Sequence, residues 1–549
     1  MPVRRFLVPA VLLLLLSTAC RQQEPSPEAV PTDTTPVEGG TLVVALASDP
    51  AHLNPAITTA GEIHAASEIL YNGLLSLDEK GEPEPDLAAS LPQIEQNGAV
   101  YRFTLRDGVM WHDGQPLTSA DVKFSFEEVL LKFHARTQAS MGPAIESIET
   151  PDEKTVVFRF KNPYAPFLQQ LDVTEAPIVP KHVFEGTDPN TNPANVQPVG
   201  SGAFKFESFT KGTEIRYVRN ENYFKEDLPY LDEVVMRIIT DEPTRVAALE
   251  RGEVDWIPGV PGPDLSRLNA NSAIETAETN WNPGGANCIM TISFNLDRPM
   301  FRDVSVRRAL AHGLDRQQFV DQILFGQGEV ATAPISSGIP WAHATDVNLP
   351  EFDPDRAAQL LEEAGWKEQT SGPRVAQGVA GVPDGSQLSF SFLHFPQFSK
   401  YGELFRQQLA AVGAEVTQRP LDPAAFRDAV FARDDFDTNI ISYCNATDPE
   451  VGVRRMYHSD QIGEVPFTNS SHYSNPRVDS LFDQSGEEVD LNERGRLYRE
   501  VQGILAEDVP YIWVVETLSV RAHAARCSGF IHHNGLFSES AYCEAADSS

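Results

Sequence analysis

Strand-like and helix-like segments alternate along most of the chain, and this alternation limits the folds that are open to it. TLVVALA (41–47) predicts a short buried strand, and EIHAASEILYNGLL (62–75) has apolar residues at helical spacing up to a stop at Gly73. Farther along, SVRRALAHGLDRQQFVDQILFG (305–326) predicts a helical stretch with a break near Gly313. Strands that alternate with helices indicate α/β lobes rather than a β-sandwich.

The N-terminal segment differs from the rest in composition. Arg4 and Arg5 precede an apolar run of 11 residues from Phe6 to Leu16, and the small residues 17–19 follow it. A membrane-spanning helix needs about 20 apolar residues. The pattern therefore predicts a secretory signal peptide over residues 1–19 and an exported, soluble remainder.

Cys20 directly follows this predicted cleavage site. Residues 16–20, LSTAC, resemble the lipobox of bacterial lipoproteins, with Ser17 at the place where Leu is commonest. We predict that Cys20 is lipidated and that residues 20–39 form a disordered tether, because their Pro-, Glu- and Thr-rich composition buries too little apolar surface to fold. An ordinary signal peptide with an incidental cysteine is the alternative.

The charge balance excludes some partners. The chain has 43 Lys and Arg residues against 78 Asp and Glu residues, a net charge of −35. Nucleic-acid binding needs clustered cations to neutralise phosphates, so no nucleic-acid partner is expected. The same charge opposes flat binding to anionic lipid, so we expect membrane contact through the lipid anchor only.

Four cysteines remain when Cys20 is assigned to lipid. They are Cys288, Cys444, Cys527 and Cys543, and an even number in an exported chain favours disulfides. Three pairings are possible. The local one, Cys527–Cys543, closes a loop of about 17 residues worth about 3 kcal/mol, and leaves Cys288–Cys444 as a long-range bridge. No pair has C-x₂-C spacing, so no metal site is predicted.

Five passages carry a resemblance to one protein family. They are DLAASLPQIEQNGAVYRFTLRDGVMWHDGQPLTSADVKFSFEEV (86–129), PVGSGAFKFESF (198–209), NENYF (220–224), FNLDRPMFRDVSVRRALAHGLDRQQFVDQILFGQGEVA (294–331) and DPDRAAQLLEEAGW (353–366). In this order they resemble the extracytoplasmic solute-binding proteins of family 5, which deliver oligopeptides, dipeptides, nickel complexes and related solutes to ABC importers.

The resemblance implies the architecture. We expect an α/β, bilobal, periplasmic-binding-protein-like fold of type II, cluster C, with an extra accessory region in the first lobe. Lobe I would comprise residues 40–66, 188–287 and 511–549, the accessory region residues 67–187, and lobe II residues 288–510. Cys288 and Cys444 match the position of a disulfide in some family members, beside the cleft between the lobes.

Two local features within these passages have structural interpretations. In PVGSGAF, Gly200 and Gly202 are expected to permit positive φ angles and close backbone approach where a strand re-enters its lobe. His112 lies between two Asp-Gly turns and is interpreted as structural, since a lone histidine without a partner at ligand spacing is weak evidence for a metal.

The candidate ligand-binding residues come mainly from the same resemblance. In peptide-binding members an Asp after the strand corresponding to SYC (442–444) meets the solute's amino terminus. Here Asn445 and Ala446 stand at that place, and a neutral Asn cannot neutralise an ammonium. Asp448, slightly farther on, is the candidate substitute, and a plain turn is its alternative role.

Four further positions complete the predicted cleft. Thr59, Gly61 and Tyr443 are at positions that match cleft residues of the family. Trp281 is proposed from its own surroundings, a Gly- and Pro-rich loop where an aromatic side chain could cover a solute, with core packing as the alternative.

The resemblance implies a substrate-binding component of an ABC importer that captures a peptide or peptide-like solute and delivers it to permease subunits. We expect a monomer without catalytic residues, cofactor or metal, since the chain has no G-x-S-x-G, H-E-x-x-H or Walker motif. The alternatives are a non-peptide solute (oligosaccharide, opine or metal chelate), a sensor or chaperone subunit, and a secreted hydrolase.

Overall fold

Two mixed β-sheets organise the chain. The structure is a computed structural model that describes residues 36–78, 81–279, 281–282, 285–463, 465–530 and 539–544. Val37–Ser549 form one compact unit, and of the separate unit Met1–Pro36 only Pro36 is described. The predicted signal peptide, Cys20 and most of the predicted tether therefore lie outside the described residues. None of the described helices is both long and apolar enough to cross a membrane.

The first sheet has seven strands and defines lobe I. The predicted strand at 41–47 is confirmed as Thr41–Leu46, which lies inside the sheet and pairs in parallel with Glu233–Ile238. In spatial order the strands are Ile274–Thr279, Ser519–Ala524, Trp256–Ile257, Thr41–Leu46, Glu233–Ile238, Glu214–Arg219 and Phe204–Thr210. All seven come from the three segments that the sequence assigned to lobe I.

The accessory region adds a four-stranded antiparallel sheet to lobe I. Its strands, in spatial order, are Gln93–Glu95, Val100–Thr104, Thr155–Phe160 and Ile145–Glu149. Phe103, Phe158 and Phe167 of this region belong to the same buried cluster as Leu42 and Tyr217 of the large sheet. The two sheets therefore share one hydrophobic core.

The second sheet has six strands and defines lobe II. In spatial order they are Gly328–Val330, Tyr511–Thr517, Cys288–Phe294, Thr438–Cys444, Ser389–His394 and Glu415–Pro420. The expected return to lobe I at residue 511 is wrong. Tyr511–Thr517 is inserted between two lobe II strands, with Ile512 opposite Ile292, and the chain re-enters the first sheet only at Ser519.

Helices cover both sheets. The α-helices of lobe I and its accessory region are Gly61–Ser67, Ser119–Phe124, Leu131–Phe133, Ala135–Ser140, Lys181–Phe184, Glu242–Glu250 and Gly262–Asn269. Those of lobe II are Pro299–Arg302, Val304–His312, Arg316–Gln322, Pro354–Glu363, Ser399–Ala411, Pro423–Arg427, Pro449–Gly452, Arg454–Tyr457, Pro476–Glu487 and Leu491–Asp508. The predicted break near Gly313 is confirmed, since one helix ends at His312 and the next begins at Arg316.

Shorter elements complete the described fold. The 3₁₀ turns are Pro55–Ile57, Glu68–Leu70, Gln96–Gly98, Ala165–Gln170, Pro193–Asn195, Pro396–Phe398 and Ser459–Gln461, and π-helical turns span Ser125–Leu130 and Asp428–Ala432. The two-stranded sheets are Leu75–Leu77 with Pro83–Pro85, Trp281–Asn282 with Gly285–Ala286, Trp366–Lys367 with Val375–Ala376, and Cys527–Ser528 with Tyr542–Cys543.

The four remaining cysteines form two disulfides. Cys527 pairs with Cys543, which are directly opposite each other in a two-stranded sheet. Cys288 pairs with Cys444, and these residues are opposite each other at the ends of two neighbouring lobe II strands. The structure thus selects one of the three pairings that the sequence left open.

Gly200 and Gly202 allow a close approach of two backbone segments. A Cβ atom at Gly200 would overlap the carbonyl oxygen of Leu70, and one at Gly202 would overlap that of Ile69. Neither glycine has a positive φ, so that part of the expectation is wrong. His112 is structural, as predicted: its Nδ1 accepts from the Gly200 N–H (3.1 Å) and its Nε2 lies 3.0 Å from the Gly202 carbonyl oxygen.

Candidate functional site

A cavity of about 920 Å³ lies between the two lobes. One wall comes from residues 59–65 of lobe I and 68–175 of the accessory region, and the other comes from residues 442–461 and 465–468 of lobe II. A second cavity, of about 500 Å³, lies beside the hairpin turns at Gly108 and Gly114 and not between the lobes. Small-ligand pockets commonly measure about 300–1,000 Å³, so the interlobe cavity is the candidate site.

Glu68 is the central carboxylate of the first wall. It follows helix Gly61–Ser67, which places its Oε1 3.2 Å from His64 Nδ1, and the Thr174 hydroxyl donates to the same oxygen (3.0 Å). Its other oxygen, Oε2, is buried without a hydrogen-bond partner among the described residues. A buried oxygen in that state favours a cationic or N–H group of a ligand.

Asp172 and Glu175 extend the same wall. Glu175 pairs with Arg136 across 2.8 Å, while Asp172 Oδ1 accepts the Glu175 backbone N–H (3.1 Å). Burial raises the pKa of Asp172 to about 7, and the neighbouring Glu175 and Glu68 add to the rise. This wall therefore carries three carboxyl groups and one guanidinium.

The second wall begins where strand Thr438–Cys444 ends. Tyr443 lines the cavity, and its hydroxyl donates to the Thr468 carbonyl oxygen (2.7 Å). The Arg455 guanidinium lies 5.5 Å from the centre of the Tyr443 ring. The disulfide partner Cys444 lines the cavity beside them, so this bridge fixes the strand end that presents the wall.

A charged cluster follows on two short helices. Arg454 pairs with Glu450 (3.3 Å), Asp460 (2.8 Å) and Asp483 (3.2 Å). Burial raises the pKa of Glu450 to about 8, although Arg454 opposes the rise. Glu450 Oε2 is a second buried carboxylate oxygen without a hydrogen-bond partner among the described residues.

The structure places the predicted site residues in different surroundings. Thr59 and Tyr443 line the cavity. Gly61 begins the helix whose His64 and Ala65 line it. Trp281 lies in a two-stranded sheet, and its side chain falls outside the described atoms.

Asn445 and Asp448 are buried within lobe II. Asn445 Oδ1 accepts the Ser336 backbone N–H (2.8 Å). The Asp448 carboxylate receives two bonds from Arg494 (2.7 and 2.8 Å) and also caps the helix that starts at Pro449. Both oxygens of Asp448 are thus engaged inside the protein, and neither residue is among those that line the cavity.

Sequence reasoning missed the charged groups that do line the cavity: Glu68, Arg136, Asp172, Glu175, Glu450, Arg454, Arg455 and Asp460. Two signals were available in the sequence. His64 and Glu68 have i, i+4 spacing within a predicted helix, and the pair Arg454-Arg455 follows an Asp-Pro turn. Many other charged pairs in the chain have similar spacing, so neither signal selected these residues.

A match to a family profile shows which protein family this chain belongs to. The profile described as bacterial extracellular solute-binding proteins, family 5 Middle, matches residues 82–464. This chain belongs to family 5 of the extracellular solute-binding proteins.

Among family 5 relatives, Protein XP55 of Streptomyces lividans is 31% identical over 506 residues, which cover 90% of this chain and 87% of XP55. The oligopeptide-binding protein AppA of Bacillus subtilis is 29% identical over 535 residues, which cover 95% of this chain and 94% of AppA.

Solved structures extend the comparison to the whole fold. AppA from Bacillus subtilis in complex with a nonapeptide superposes with a TM-score of 0.73 at 27% identity, covering 93% of this chain and all (100%) of that one. DppA from Helicobacter pylori in complex with the peptide STSA gives a TM-score of 0.74 at 25% identity, covering 92% and 99%. The family 5 chain described here therefore has the bilobal fold of these binding proteins.

Proposed function

We propose that this protein is the substrate-binding component of an ABC importer, and that it captures a peptide or peptide-like solute for delivery to a membrane permease. Family membership supports solute binding, and the peptide complexes of AppA and DppA support the ligand class. DppA of Helicobacter pylori is described as ABC transporter-associated, which supports the permease partner.

The interlobe cavity is the observation that carries the proposal. Its two walls belong to different lobes, and both present charged groups. A ligand that contacts both walls at once binds the closed arrangement better than an open one. That difference in affinity is what shifts a two-lobed protein towards closure.

An ammonium group of the solute has two candidate partners in this cavity. Glu68 and Glu450 each have a buried oxygen without a hydrogen-bond partner among the described residues. Asp448 is bound by Arg494, so we propose that the carboxylates of the cavity walls take its expected role.

We also propose that the protein is exported, held on the membrane by a lipid on Cys20, and monomeric. The short apolar run before Cys20 and the polar segment after it support the anchor. We propose binding, without turnover of the solute, as the activity.

Native mass spectrometry of the purified protein tests the ligand class. We expect a co-purifying mixture of peptides that is released on denaturation. A single defined sugar, opine or metal chelate would contradict the peptide proposal while leaving solute binding intact. Chemical conversion of the released compound by the protein would contradict a purely binding role.

A further inference from the structure

Val489 of lobe II packs against a turn of the accessory region. It lies in the short loop between helices Pro476–Glu487 and Leu491–Asp508. Gly98 ends the turn Gln96–Gly98 and has a φ of +89°. A Cβ atom at Gly98 would overlap Val489 Cγ1, so the valine methyl group lies directly against the glycine backbone. We call Val489 the knob and the turn that ends at Gly98 the notch.

The notch is held in place by the accessory region itself. The Gly98 carbonyl oxygen accepts from the Tyr164 N–H (3.2 Å), and the Tyr101 hydroxyl donates to the Tyr164 carbonyl oxygen (3.0 Å). The neighbouring Ala99 carbonyl oxygen accepts from the Phe160 N–H (2.8 Å). These bonds tie the turn to the accessory sheet, so the notch keeps its shape without a partner from lobe II.

The loop that carries the knob is also fixed within its own lobe. Glu488 donates its backbone N–H to the Gln484 carbonyl oxygen (3.1 Å). Asp490 donates its backbone N–H to Glu488 Oε1 (2.9 Å), and its own carboxylate accepts the Glu493 N–H (2.9 Å) at the start of the next helix. Both halves of the contact are therefore preformed, and joining them costs little conformational entropy.

The contact joins the two lobes but is separate from the ligand cavity. Gly98 and Val489 lie outside the set of described residues that line this cavity. The chain crosses between the lobes at 279–288 and 517–519, far along the chain from both residues. Because the accessory region shares a hydrophobic core with lobe I, a hinge motion about these crossovers pulls the notch away from the knob.

The contact favours the closed arrangement whether or not a solute is present. Val489 has 39% of its surface exposed while it is packed against Gly98, and separation of the lobes exposes more of it. Transfer of methyl surface into water is unfavourable, so opening carries a cost at this point. Helix Pro476–Glu487, which precedes the knob, packs against the accessory turn Ala165–Gln170 and extends the same rim.

We propose that Val489 is a positioning residue that stabilises the closed state through the Gly98 notch without touching the solute. The apparent affinity of a two-state receptor is that of its closed form multiplied by the fraction of molecules that are closed. The contact therefore changes the affinity for every solute by one common factor and leaves the ranking of solutes unchanged. The inference rests on closure of the lobes around a solute, as in the proposed function, but not on the solute being a peptide.

Isothermal titration calorimetry with three defined peptides tests the common factor. The peptides are trialanine, pentaalanine and pentaalanine with a central lysine, and the protein is the full chain. We expect Val489→Ala to raise all three dissociation constants by the same factor, about threefold, because part of the apolar contact is lost. Val489→Asp should raise them by about tenfold or more, because closure then places a carboxylate against the glycine backbone.

Val196→Ala and Val196→Asp are the matched controls. Val196 is also a valine, is similarly exposed (45%) and belongs to lobe I, so both variants should leave the three dissociation constants unchanged. Gly98 is kept, because a side chain at its positive φ would strain the turn as well as the contact. Urea unfolding should give the Val489 variants the wild-type midpoint, which separates a shift in closure from damage to the fold.

Small-angle X-ray scattering tests closure without a solute, after bound solute has been removed by unfolding and refolding. We expect a larger radius of gyration for Val489→Asp than for the wild type. Equal radii, or factors that differ among the three peptides, would overturn the proposal, the latter by showing that Val489 acts on the solute itself. If none of the peptides binds the wild type, the peptide proposal fails, and the scattering comparison alone then decides the role of Val489.

Discussion

Two buried aspartates show how neighbouring groups decide what a carboxyl group can do. Asp448 meets the fork of Arg494 with two short bonds, and although burial opposes the charge of Arg494, Asp448 more than offsets this and raises its pKa. Burial raises the pKa of Asp172 to about 7, and its carboxylate neighbours add to the rise, where Asp448 instead has a cation beside it. The first side chain holds lobe II together, and the second faces the ligand cavity.

Asp448→Asn is expected to destabilise the protein rather than weaken ligand binding directly. The substitution leaves the Arg494 cation buried without its partner, which typically costs about 3–5 kcal/mol. Urea unfolding followed by circular dichroism measures the loss. The control Asp435→Asn removes an exposed partner of Arg419 and should cost less than about 1 kcal/mol. An unchanged unfolding midpoint for Asp448→Asn, with loss of peptide binding, would instead assign Asp448 to the ligand.

Asp172→Asn is expected to change how stability depends on pH. The folded protein holds a proton on Asp172 up to about pH 7, whereas the unfolded chain releases it near the ordinary value of 3.8. Wild-type stability should therefore fall as the pH rises between these values, by at most about 1.4 kcal/mol per pH unit, and level off above pH 7. The variant lacks this slope.

Thermal unfolding of both proteins between pH 4 and pH 8 measures the effect. The melting temperature of Asp172→Asn relative to that of the wild type should be highest at pH 8. An advantage that is the same at every pH would show that Asp172 does not titrate in this range.

At the scale of secondary-structure elements, the sequence pattern predicted where a strand or helix lies better than it predicted which sheet a strand joins. The strand at Thr41–Leu46 and the break between the helices at Val304–His312 and Arg316–Gln322 follow from periodicity and glycine placement. The helix predicted over 62–73 ends at Ser67 and continues only as a short 3₁₀ turn. Tyr511–Thr517 was assigned to the wrong sheet, because a strand buried on both faces reads the same in either lobe.

Matched family positions predicted two residues that line the cavity, and their contact with a ligand stays a prediction. Thr59 and Tyr443 were found through positions matched to the family, and both line the cavity. Glu68, Asp172 and Arg455 come from three distant segments, and their roles depend on which charges face them after folding. Spacing along the chain does not contain that information.

The two disulfides should contribute unequally to stability. Cys288–Cys444 joins residues 156 positions apart, whereas Cys527–Cys543 joins residues 16 positions apart. Because the entropic stabilisation grows with loop length, the double variant Cys288→Ala/Cys444→Ala should lose about 2–5 kcal/mol and more than Cys527→Ala/Cys543→Ala. Urea midpoints under non-reducing conditions compare the two variants, and the reverse order would contradict this argument.

At the scale of the whole molecule, the proposed lipid anchor determines where the receptor works. Cys20→Ser should move the protein from the membrane fraction to the soluble extracytoplasmic fraction, because the acceptor thiol is lost. Fractionation and labelling with palmitate measure this. A variant that stays with the membrane, together with an unlabelled wild type, would show that the anchor proposal is wrong.

The order of the strands has a consequence for export. Tyr511–Thr517 completes the lobe II sheet, and Ser519–Ala524, only one residue later, joins Ile274–Thr279 to the rest of the lobe I sheet. Neither lobe can therefore finish its sheet until the chain has emerged to about residue 524. A chain that crosses the membrane from its N-terminus stays incompletely folded for most of its passage, and both halves then mature together at the end.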